Sequence, residues 1–512
     1  MTTQILRAAH VTAAEAYPAL EEHFLDAKSS VLASFMVFDL STRLRSVRGR
    51  EVGATWFDLI HHTLARGVDI SISVSDVDPI GRPEMHRAAM RTRRMFLAAA
   101  GVSNHPGKLE LKVLRHSAQT GRLIRLAIWP YILKRLYGVA KWLNALPEAE
   151  RTAALRDMPG MARMLISWRG KLWPWPFVLP ALYPCLHHQK LAVFDENLLY
   201  IGGLDLNERR FDTPEHNRDG DQTWHDVQIE VTGAGVDAAA AHLRGFHTHT
   251  AGTTAPAPET PPFLRTVSTR RRINWAHFGP HHRVHELHQA HLDEIARAEQ
   301  LIYIETQYFR DRALSRALAR RARSAPDLRL ILILPAAPDD VAFEGKRGFD
   351  ARFGEYLQAR ALRRLTRAFG KRVLVASPAQ KRQAAGDGPD RLNGAPLIYV
   401  HSKVSLFDDR AAIVASSNLN RRSLFWDTEA GIRLDAPQDV AKLTGRVLRH
   451  WWPENEIPKD ETPRALYDRW RHAVWANAQC APSDRKCLLL PHDIARAEAF
   501  GKPVPIVPEE MV

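Results

Sequence analysis

Apolar and polar positions along this chain form blocks that predict strands separated by helices. In the first half, AKSSVLASFMVFD, from Ala27, has the pattern of a helix end followed by an apolar strand, and GVDISISVSD follows after a further helical stretch. In the second half, AEQLIYIETQYF, from Ala298, and LRLILILP repeat this order. Strands that alternate with helices favour an α/β sandwich with a mixed sheet in each half.

The two halves also contain a diverged repeat. The segment HQKLAVFDENLLYIGGLDLNERR aligns without a gap on HSKVSLFDDRAAIVASSNLNRRS. The alignment matches His188 with His401, Lys190 with Lys403, Asp195 with Asp408, Asp205 with Asn418, Asn207 with Asn420 and Arg209 with Arg422. Side chains two positions apart on a strand point to the same face, so the histidine and lysine of each copy should project toward one site. We expect two related α/β/α lobes about a pseudo-twofold axis, with the site at their interface.

Composition shifts divide the chain further. We predict a first lobe over 1–247, a Pro-rich linker over 248–270, a second lobe over 271–452 and a C-terminal extension over 453–512. The first lobe carries roughly 58 residues that the second lacks, at about 113–180. This insert interleaves Arg and Lys with Trp, Tyr and aliphatic residues. It is either an interfacial membrane segment or an amphipathic subdomain packed on the lobe.

The paired His-x-Lys-x4-Asp motifs suit the cleavage of a phosphodiester. This reaction needs positive charge on the phosphate oxygens, a nucleophile and a proton for the leaving oxygen. Lys190 and Lys403 would neutralise the phosphate, and polar residues of the repeat could complete the pocket, namely Asp205, Asn207, Ser416, Asn418 and Asn420. No metal and no other cofactor is then expected at the site.

Histidine suits both remaining roles because its pKa lies near neutrality. One histidine would attack phosphorus and form a covalent phosphohistidine, and the other would protonate the leaving alcohol. Each needs a carboxylate on its far ring nitrogen. Asp226 and Glu429 each open the strand that follows a motif, so we assign Asp226 to His188 and Glu429 to His401.

At these residues the sequence resembles the phospholipase D superfamily, and within it the eukaryotic-type phospholipases D. The similar blocks are HHQKLAVFD, GGLDLNERRFD, TWHDVQIEVTG, YIETQYF and IYVHSKVSLFDDR. The resemblance implies hydrolysis of phospholipids to phosphatidate and a free head group, or transfer of the phosphatidyl group to an alcohol. It also implies that His188 is the nucleophile and His401 the general acid, and that Asp195 and Asp408 complete the two catalytic motifs.

Charge and segment length bear on partners and location. The formal net charge of +14 favours polyanions, either an anionic bilayer or nucleic acid. The three cysteines are too few for a disulfide framework, and we find neither a signal-peptide pattern nor an apolar run long enough to span a membrane. We expect a phospholipid substrate at a membrane surface, in a cytoplasmic or peripheral membrane protein, with export by another route left open. The sequence does not determine the oligomeric state.

Other interpretations of the sequence remain open. The same chemistry could serve a nuclease or a phosphatidyltransferase of the cardiolipin synthase type, although the phospholipase-like blocks and the aromatic insert disfavour nucleic acid. A non-catalytic lipid-binding protein is a third alternative, against which both motifs are intact. The histidine-rich run from His277 to Ile295 is either a metal site or, as we prefer, the polar face of a helix.

Overall fold

The structure is a computed structural model that describes residues 4–102, 106–258, 261–345, 347–452, 461–505 and 507–512. The first half contains, in order, β1 (Ile5–Val11), α1 (Ala13–Asp26), β2 (Ser30–Phe35), α2 (Val47–Val52), α3 (Trp56–Ala65), β3 (Asp69–Asp76), α4 (Pro83–Gly101), β4 (Leu109–Arg115), α5 (Arg122–Ala127), α6 (Trp129–Ala145), α7 (Glu148–Arg156), α8 (Pro159–Ala162), β5 (Leu165–Trp168), β6 (Lys171–Pro174), β7 (Leu191–Phe194), β8 (Leu198–Gly202), β9 (Val227–Thr232) and α9 (Ala234–Ala251).

The second half contains β10 (Phe263–Thr269), β11 (His281–His285), α10 (Glu286–Arg297), β12 (Leu301–Glu305), α11 (Arg312–Ser324), β13 (Arg329–Ile333), α12 (Asp339–Ala342), α13 (Phe349–Phe369), β14 (Val373–Pro378), β15 (Arg391–Leu392), β16 (Ala395–Pro396), β17 (Val404–Phe407), β18 (Ala411–Ala415), β19 (Glu429–Leu434) and α14 (Pro437–Trp451). The last elements are α15 (Pro463–Asn477), β20 (Leu489–Pro491) and α16 (Ile494–Phe500).

The predicted repeat appears as two mixed sheets of the same topology. The first sheet has the order β1-β9-β8-β7-β2-β3-β4, and the second contains β10-β19-β18-β17-β12-β13-β14, with β11 and β20 added at its edges. In each sheet the last three strands of this series are parallel to one another, and the remaining pairs are antiparallel. The α/β fold with two related lobes is therefore confirmed.

The sheets face each other across a shared core. Leu191, Val193 and Ile201 of the first sheet and Val404 and Leu406 of the second belong to one buried apolar cluster, which also includes residues of α9 and α14. Alternate residues of the same strands turn outward, where α1, α3 and α4 cover the first sheet and α10, α11 and α13 cover the second. Two sheets joined by their inner faces bring corresponding strand ends from the two lobes together.

The predicted linker over 248–270 is too long. α9 continues to Ala251, and β10 is a fully buried strand of the second sheet. All seven residues of β10 are buried. The strand is also hydrogen-bonded on both sides, to β19 and β11, so it is an integral part of the sheet. The connection between the elements is thus 252–262, of which 259 and 260 lie outside the described residues.

The segment predicted as a C-terminal extension continues the second lobe. Residues 453–460 lie outside the described part of the chain. After them, Tyr467 and Trp470 of α15 are buried in the shared core, and β20 pairs antiparallel with β14. Apart from the linker, the division into domains at the predicted boundaries stays a prediction.

The insert folds as a small subdomain with two different faces. Ile132, Leu136 and Leu143 of α6 pack with Met158 and other apolar residues into a core of its own. A set of large apolar side chains stays exposed, including Tyr131, Tyr137, Trp142, Ile166, Trp168, Trp173, Trp175 and Phe177. The insert therefore combines the packed subdomain with an aromatic surface of interfacial composition. None of the described helices is long and apolar enough to cross a membrane.

Candidate active site

The two motifs meet at the interface between the lobes. His188 and Lys190 lie directly before β7, and His401 and Lys403 lie directly before β17, at equivalent ends of equivalent strands. Lys190 is completely buried, and the side chains of His188 and His401 keep exposed fractions of 12% and 5%. This residual exposure matters, because a histidine that reacts with phosphorus must be reachable by substrate.

Each histidine is paired with a carboxylate of the other lobe. Nδ1 of His188 lies 3.0 Å from Oε1 of Glu429, and Nδ1 of His401 lies 2.7 Å from Oδ2 of Asp226. The predicted assignment of Asp226 to His188 and Glu429 to His401 was therefore wrong, although the two carboxylates themselves were found. Both pairs leave Nε2 of the histidine for the reaction.

The backbone explains this exchange. The N–H of His188 donates to the carbonyl of Thr428, and the N–H of His401 donates to the carbonyl of His225, at 2.9 and 2.8 Å. These bonds belong to short parallel bridges that join the start of each motif to the start of β19 or β9 in the other lobe. The residues that accept these two bonds, Thr428 and His225, directly precede Glu429 and Asp226 in sequence. The bridges therefore bring each histidine next to the carboxylate of the other lobe.

The two carboxylates differ in their electrostatics. Burial opposes ionisation of Glu429, but His188, Lys190 and a hydrogen bond from Ser416 outweigh it, so the pKa of this carboxyl lies below its ordinary value. Burial raises the pKa of Asp226, and Lys403 and a backbone N–H only partly offset this effect. Glu429 is therefore the better partner for a histidine that becomes positively charged.

The basic groups of the site have lowered pKa values. Burial lowers the pKa of Lys403 to about 7, against the attraction of Asp226, and burial also lowers the pKa of Lys190. Burial, followed by the positive charges of Lys403 and Arg210, holds the pKa of His401 well below its usual value. An anionic phosphate placed among these groups would raise all three pKa values, so substrate binding and protonation are coupled.

Ser416 supports a carboxylate. Its hydroxyl donates to Oε2 of Glu429, and it also accepts from the N–H of Ala430 at 3.1 Å. Gly203 occupies the equivalent position of the first lobe, where an added Cβ would lie 2.1 Å from Oδ1 of Asp226. The Ser416 hydroxyl therefore holds Glu429 by a hydrogen bond, whereas the lack of a side chain at Gly203 leaves the space that Asp226 occupies.

The other predicted phosphate-binding residues also have partners. Asp205 accepts from the N–H of Val37 at 2.9 Å and lies 3.4 Å from Nζ of Lys190, so it positions a cation. Oδ1 of Asn207 and Oδ1 of Asn420 accept the backbone N–H groups three residues later, each at 3.0 Å, and thereby close equivalent turns. Nδ2 of Asn418 donates to Gln307 at 3.1 Å. Phosphate binding by these residues stays a prediction.

The aspartates of the two motifs are not brought to the site. Asp195 accepts the backbone N–H groups of Lys28, Ser29 and Ser30, at 2.8–3.0 Å. Asp408 accepts the N–H groups of Glu299, Gln300 and Leu301, each at 2.9 Å. Each aspartate is at the far end of a four-residue strand from its lysine, roughly 16 Å away along an extended chain. Their expected role in catalysis stays a prediction, and in the structure they anchor the starts of β2 and β12.

Arg210 is a site residue that the sequence analysis missed. Its guanidinium lies 3.5 Å from Asp205 and 5.2 Å from the ring centre of Trp224. Its Nε and one terminal nitrogen are buried and have no hydrogen-bond partner among the described residues. Buried donors without partners suit an anionic ligand. The repeat gave no signal for Arg210, because the residue aligned with it in the other half is Ser423.

The middle residues of the motifs reveal a second missed group. Ser402 donates to Oε2 of Glu305 at 2.6 Å, and Glu305 is also bound by His225 at 2.8 Å and by the indole N–H of Trp451 at 2.6 Å. The middle residue of the first motif, Gln189, likewise donates to Ser34, which aligns with Glu305. The block YIETQYF contained this signal, since a glutamate in an otherwise apolar strand needs a partner.

The histidine-rich run forms β11 and the start of α10 rather than one helix. His288 and His291 are buried, and Nε2 of His291 lies 3.1 Å from the hydroxyl of Ser405. The preferred interpretation as the polar face of a helix was therefore wrong for these two residues, because His291 faces the sheet and His288 packs against Phe425.

Comparison with known proteins agrees with this geometry. Residues 291–451 match the family model described as "Cardiolipin synthase, PLD-like domain". Over 336 residues, 48% of this chain, the sequence is 24% identical to Phospholipase D1 of Schizosaccharomyces pombe, and over 188 residues, 30% of this chain, it is 31% identical to Phospholipase D zeta 2 of Arabidopsis thaliana. The matched family model and these relatives support the phospholipase D superfamily as the family of this chain.

The comparisons also match proteins with other names. A cardiolipin synthase of Alkalihalophilus pseudofirmus is 23% identical over 373 residues, 71% of this chain and 64% of that protein. The solved structure of phosphatidylserine synthase from Haemophilus influenzae is 14% identical, with a TM-score of 0.49, and covers 95% of this chain and 97% of its own. The matches span only 24% of Phospholipase D1 and 17% of Phospholipase D zeta 2.

Proposed function

We propose that this protein hydrolyses glycerophospholipids to phosphatidate and a free head group through a phosphohistidine, and that it can also pass the phosphatidyl group to an alcohol. The observation that carries the proposal is the pair of histidines, His401 buried and His188 partly buried, each hydrogen-bonded through Nδ1 to a carboxylate and lying near two lysines and Arg210. Similarity to the phospholipase D superfamily supports the class of reaction.

In the first step, Nε2 of neutral His188 attacks phosphorus. The bond from phosphorus to the head-group oxygen breaks, and His401 gives its Nε2 proton to that oxygen. The imidazole of His188 acquires positive charge as the bond to phosphorus forms, and ionised Glu429 stabilises this charge through Nδ1–H. Lys190, Lys403 and Arg210 would bind the non-bridging oxygens, where their charges stabilise the transition state.

In the second step, His401 acts as a base. It removes a proton from water, the oxygen bonds to phosphorus, and the bond from phosphorus to His188 breaks. Phosphatidate leaves and both histidines return to their starting states. An alcohol in place of water gives phosphatidyl transfer by the same movements of protons and electrons.

A cleft beside the site supports a lipid substrate. It has a volume of about 1450 Å³ and runs from Asn207 and Arg210 to the facing sides of α4 and the insert helix α6. Met85, Val139 and Trp142 give it apolar surface, and several Arg and Lys residues line it as well. Apolar walls beside cations suit a molecule with acyl chains next to a phosphate. The exposed aromatic face of the insert lies on the subdomain that forms one wall of this cleft.

The proposal is tested with purified protein and vesicles of phosphatidylcholine, phosphatidylethanolamine and phosphatidylglycerol. We expect release of phosphatidate and head group, and a phosphatidyl alcohol when ethanol is present. His188→Ala is the matched control for contaminating activity. Nicking of plasmid DNA without lipid turnover would instead identify a nuclease.

A second candidate function is phosphatidyl transfer of the cardiolipin synthase type. The family model and the cardiolipin synthase that covers 71% of the chain favour it. The same vesicle assay separates the two activities. Cardiolipin formed from phosphatidylglycerol, with little phosphatidate, would favour the transferase.

A further inference from the structure

A group of three buried histidines lies behind the catalytic pair and takes no part in the proposed reaction. His216 belongs to the connection between β8 and β9, His225 immediately precedes Asp226, and His450 is near the end of α14 in the second lobe. Their exposed fractions are 0%, 0% and 7%. One ring nitrogen of each lies within 4.8 Å of one ring nitrogen of both others.

We propose that these three residues bind a structural transition-metal ion, of which zinc fits best, and that this ion ties the two lobes together. Neutral imidazole nitrogens are donors for zinc and related metals, whereas calcium and magnesium prefer oxygen. The ion would be joined by His216 and His225 from the first lobe and by His450 from the second. It would not touch the substrate.

The hydrogen bonds around the group prepare it for a metal. Nδ1 of His216 lies 2.6 Å from Oδ2 of Asp212, and Nε2 of His225 lies 2.8 Å from Oε2 of Glu305. A metal-binding histidine usually donates its other N–H to a carboxylate in this way, which fixes the lone pair on the nitrogen that binds the ion. The nitrogens left for an ion are Nε2 of His216 and Nδ1 of His225. Nδ1 of His225 is buried and has no hydrogen-bond partner among the described residues.

The spacing of the rings also fits. With nitrogen about 2.0 Å from zinc and tetrahedral angles, the centres of three imidazole rings are roughly 5 Å apart. The ring centres are 4.5 Å apart for His225 and His450, 5.1 Å for His216 and His450, and 6.2 Å for His216 and His225. The rings of His225 and His450 are stacked, with 23° between their planes, so ion binding would require one of these two rings to turn until its nitrogen faces the ion. Nε2 of His216 is 3.0 Å from Nε2 of His450, close to the separation of two nitrogens on one zinc ion. A water molecule or a carboxylate oxygen would take the fourth position.

The experiment uses the full chain without a histidine tag. Protein stripped with a chelator is loaded with zinc chloride and desalted, its metal content is measured by mass spectrometry, and its melting temperature is recorded. We expect one equivalent of zinc per chain and a rise of a few degrees in melting temperature, since an ion that binds only the folded state stabilises it. The double variant His216→Gln/His450→Gln should lose both effects.

The matched control is His281→Gln/His285→Gln on the exposed edge strand β11, which should keep the equivalent of zinc. The proposal is overturned if the loaded wild type holds no zinc, or if the His216→Gln/His450→Gln variant holds as much as the wild type. A further variant, His450→Cys, retains a metal ligand and thus guards against a folding defect. When loaded with cobalt(II), it should show a thiolate charge-transfer band that the wild type lacks, and a folded His450→Cys protein without this band would also overturn the proposal.

Discussion

His188 of the first lobe and Glu429 of the second are joined by a hydrogen bond of 3.0 Å, although 241 residues separate them in sequence. Asp226 and His401 form the reciprocal pair. Neither lobe therefore contains a complete dyad of histidine and carboxylate. The proposed active site exists only when both lobes are assembled, and the proposed mechanism makes separate demands on each pair.

The two histidines should respond differently to the leaving group. On a phospholipid, His188→Ala and His401→Ala should each lower kcat by several orders of magnitude, since each removes one member of a coupled pair. A p-nitrophenyl phosphodiester releases an anion that needs no proton. His401→Ala should recover much of its first-step rate on this substrate, whereas His188→Ala should not. Equal recovery by both variants would contradict the proposed roles.

The cross-lobe pairing predicts which carboxylate follows which histidine. Glu429→Gln should lower kcat by about 10²- to 10⁴-fold on both substrates, as loss of an orienting carboxylate does in hydrolytic triads. Asp226→Asn should be impaired on phospholipid and recover on the p-nitrophenyl ester, because its partner is the general acid. Rapid-quench measurement of the phosphohistidine burst separates these steps. The reverse pattern would support pairing within each lobe.

The motif aspartates should matter for stability rather than chemistry. Each accepts three backbone N–H groups at the start of a strand. Two of the three groups are exposed, so water can replace the carboxylate there, and the net loss should be about 0.5–1.5 kcal/mol. Asp195→Ala and Asp408→Ala should lower the free energy of unfolding by this amount while the folded fraction keeps near-normal kcat. Denaturant titration and active-site-normalised kinetics provide the check. A large loss of kcat in fully folded Asp195→Ala would assign the residue a catalytic role.

Activity should depend on pH through Lys403. Burial lowers the pKa of this residue to about 7, so its charge is present below that pH and lost above it. We expect kcat/KM for an anionic diester to fall as pH rises through about 7. In the substrate complex the phosphate raises this pKa, so the corresponding fall in kcat should lie at higher pH. Lys403→Arg keeps its charge and should lose the fall near pH 7, even if its maximal rate is lower. The fall that remains, at lower pH, belongs to the general acid His401, whose pKa burial holds well below its usual value. An unchanged profile in this variant would remove Lys403 from the explanation.

The exposed aromatic face of the insert should control action on membranes. Replacement of Trp168, Trp173 and Trp175 by Ala should reduce activity on anionic vesicles far more than on a short-chain soluble diester, because these exposed residues do not line the cleft and the catalytic residues are unchanged. Tryptophan fluorescence should shift to the blue on addition of vesicles, and binding should weaken with salt. Trp129, which packs against the core of the insert, is the control, and Trp129→Ala should lower the melting temperature and affect both substrates alike. Equal losses on both substrates in the triple variant would assign the exposed residues a structural role only.

Local patterns and the internal repeat of the sequence were enough to predict several features of this protein. Apolar runs predicted the strands, and the alignment of His188 with His401 predicted two equivalent sheets and one shared site. Asp226 and Glu429 were recognisable as carboxylates at strand starts.

The sequence could not show which carboxylate serves which histidine. It is equally compatible with pairing within each lobe and pairing between the lobes. The short bridges between the lobes at Thr428 and His225 produce the pairing between lobes. Asp195 and Asp408 lie at the far ends of their strands, away from the lysines of their motifs. The sequence did not indicate roles for Arg210, Glu305 or the three buried histidines. Their roles come from neighbours that are distant in sequence, and no periodicity within a single segment records such contacts.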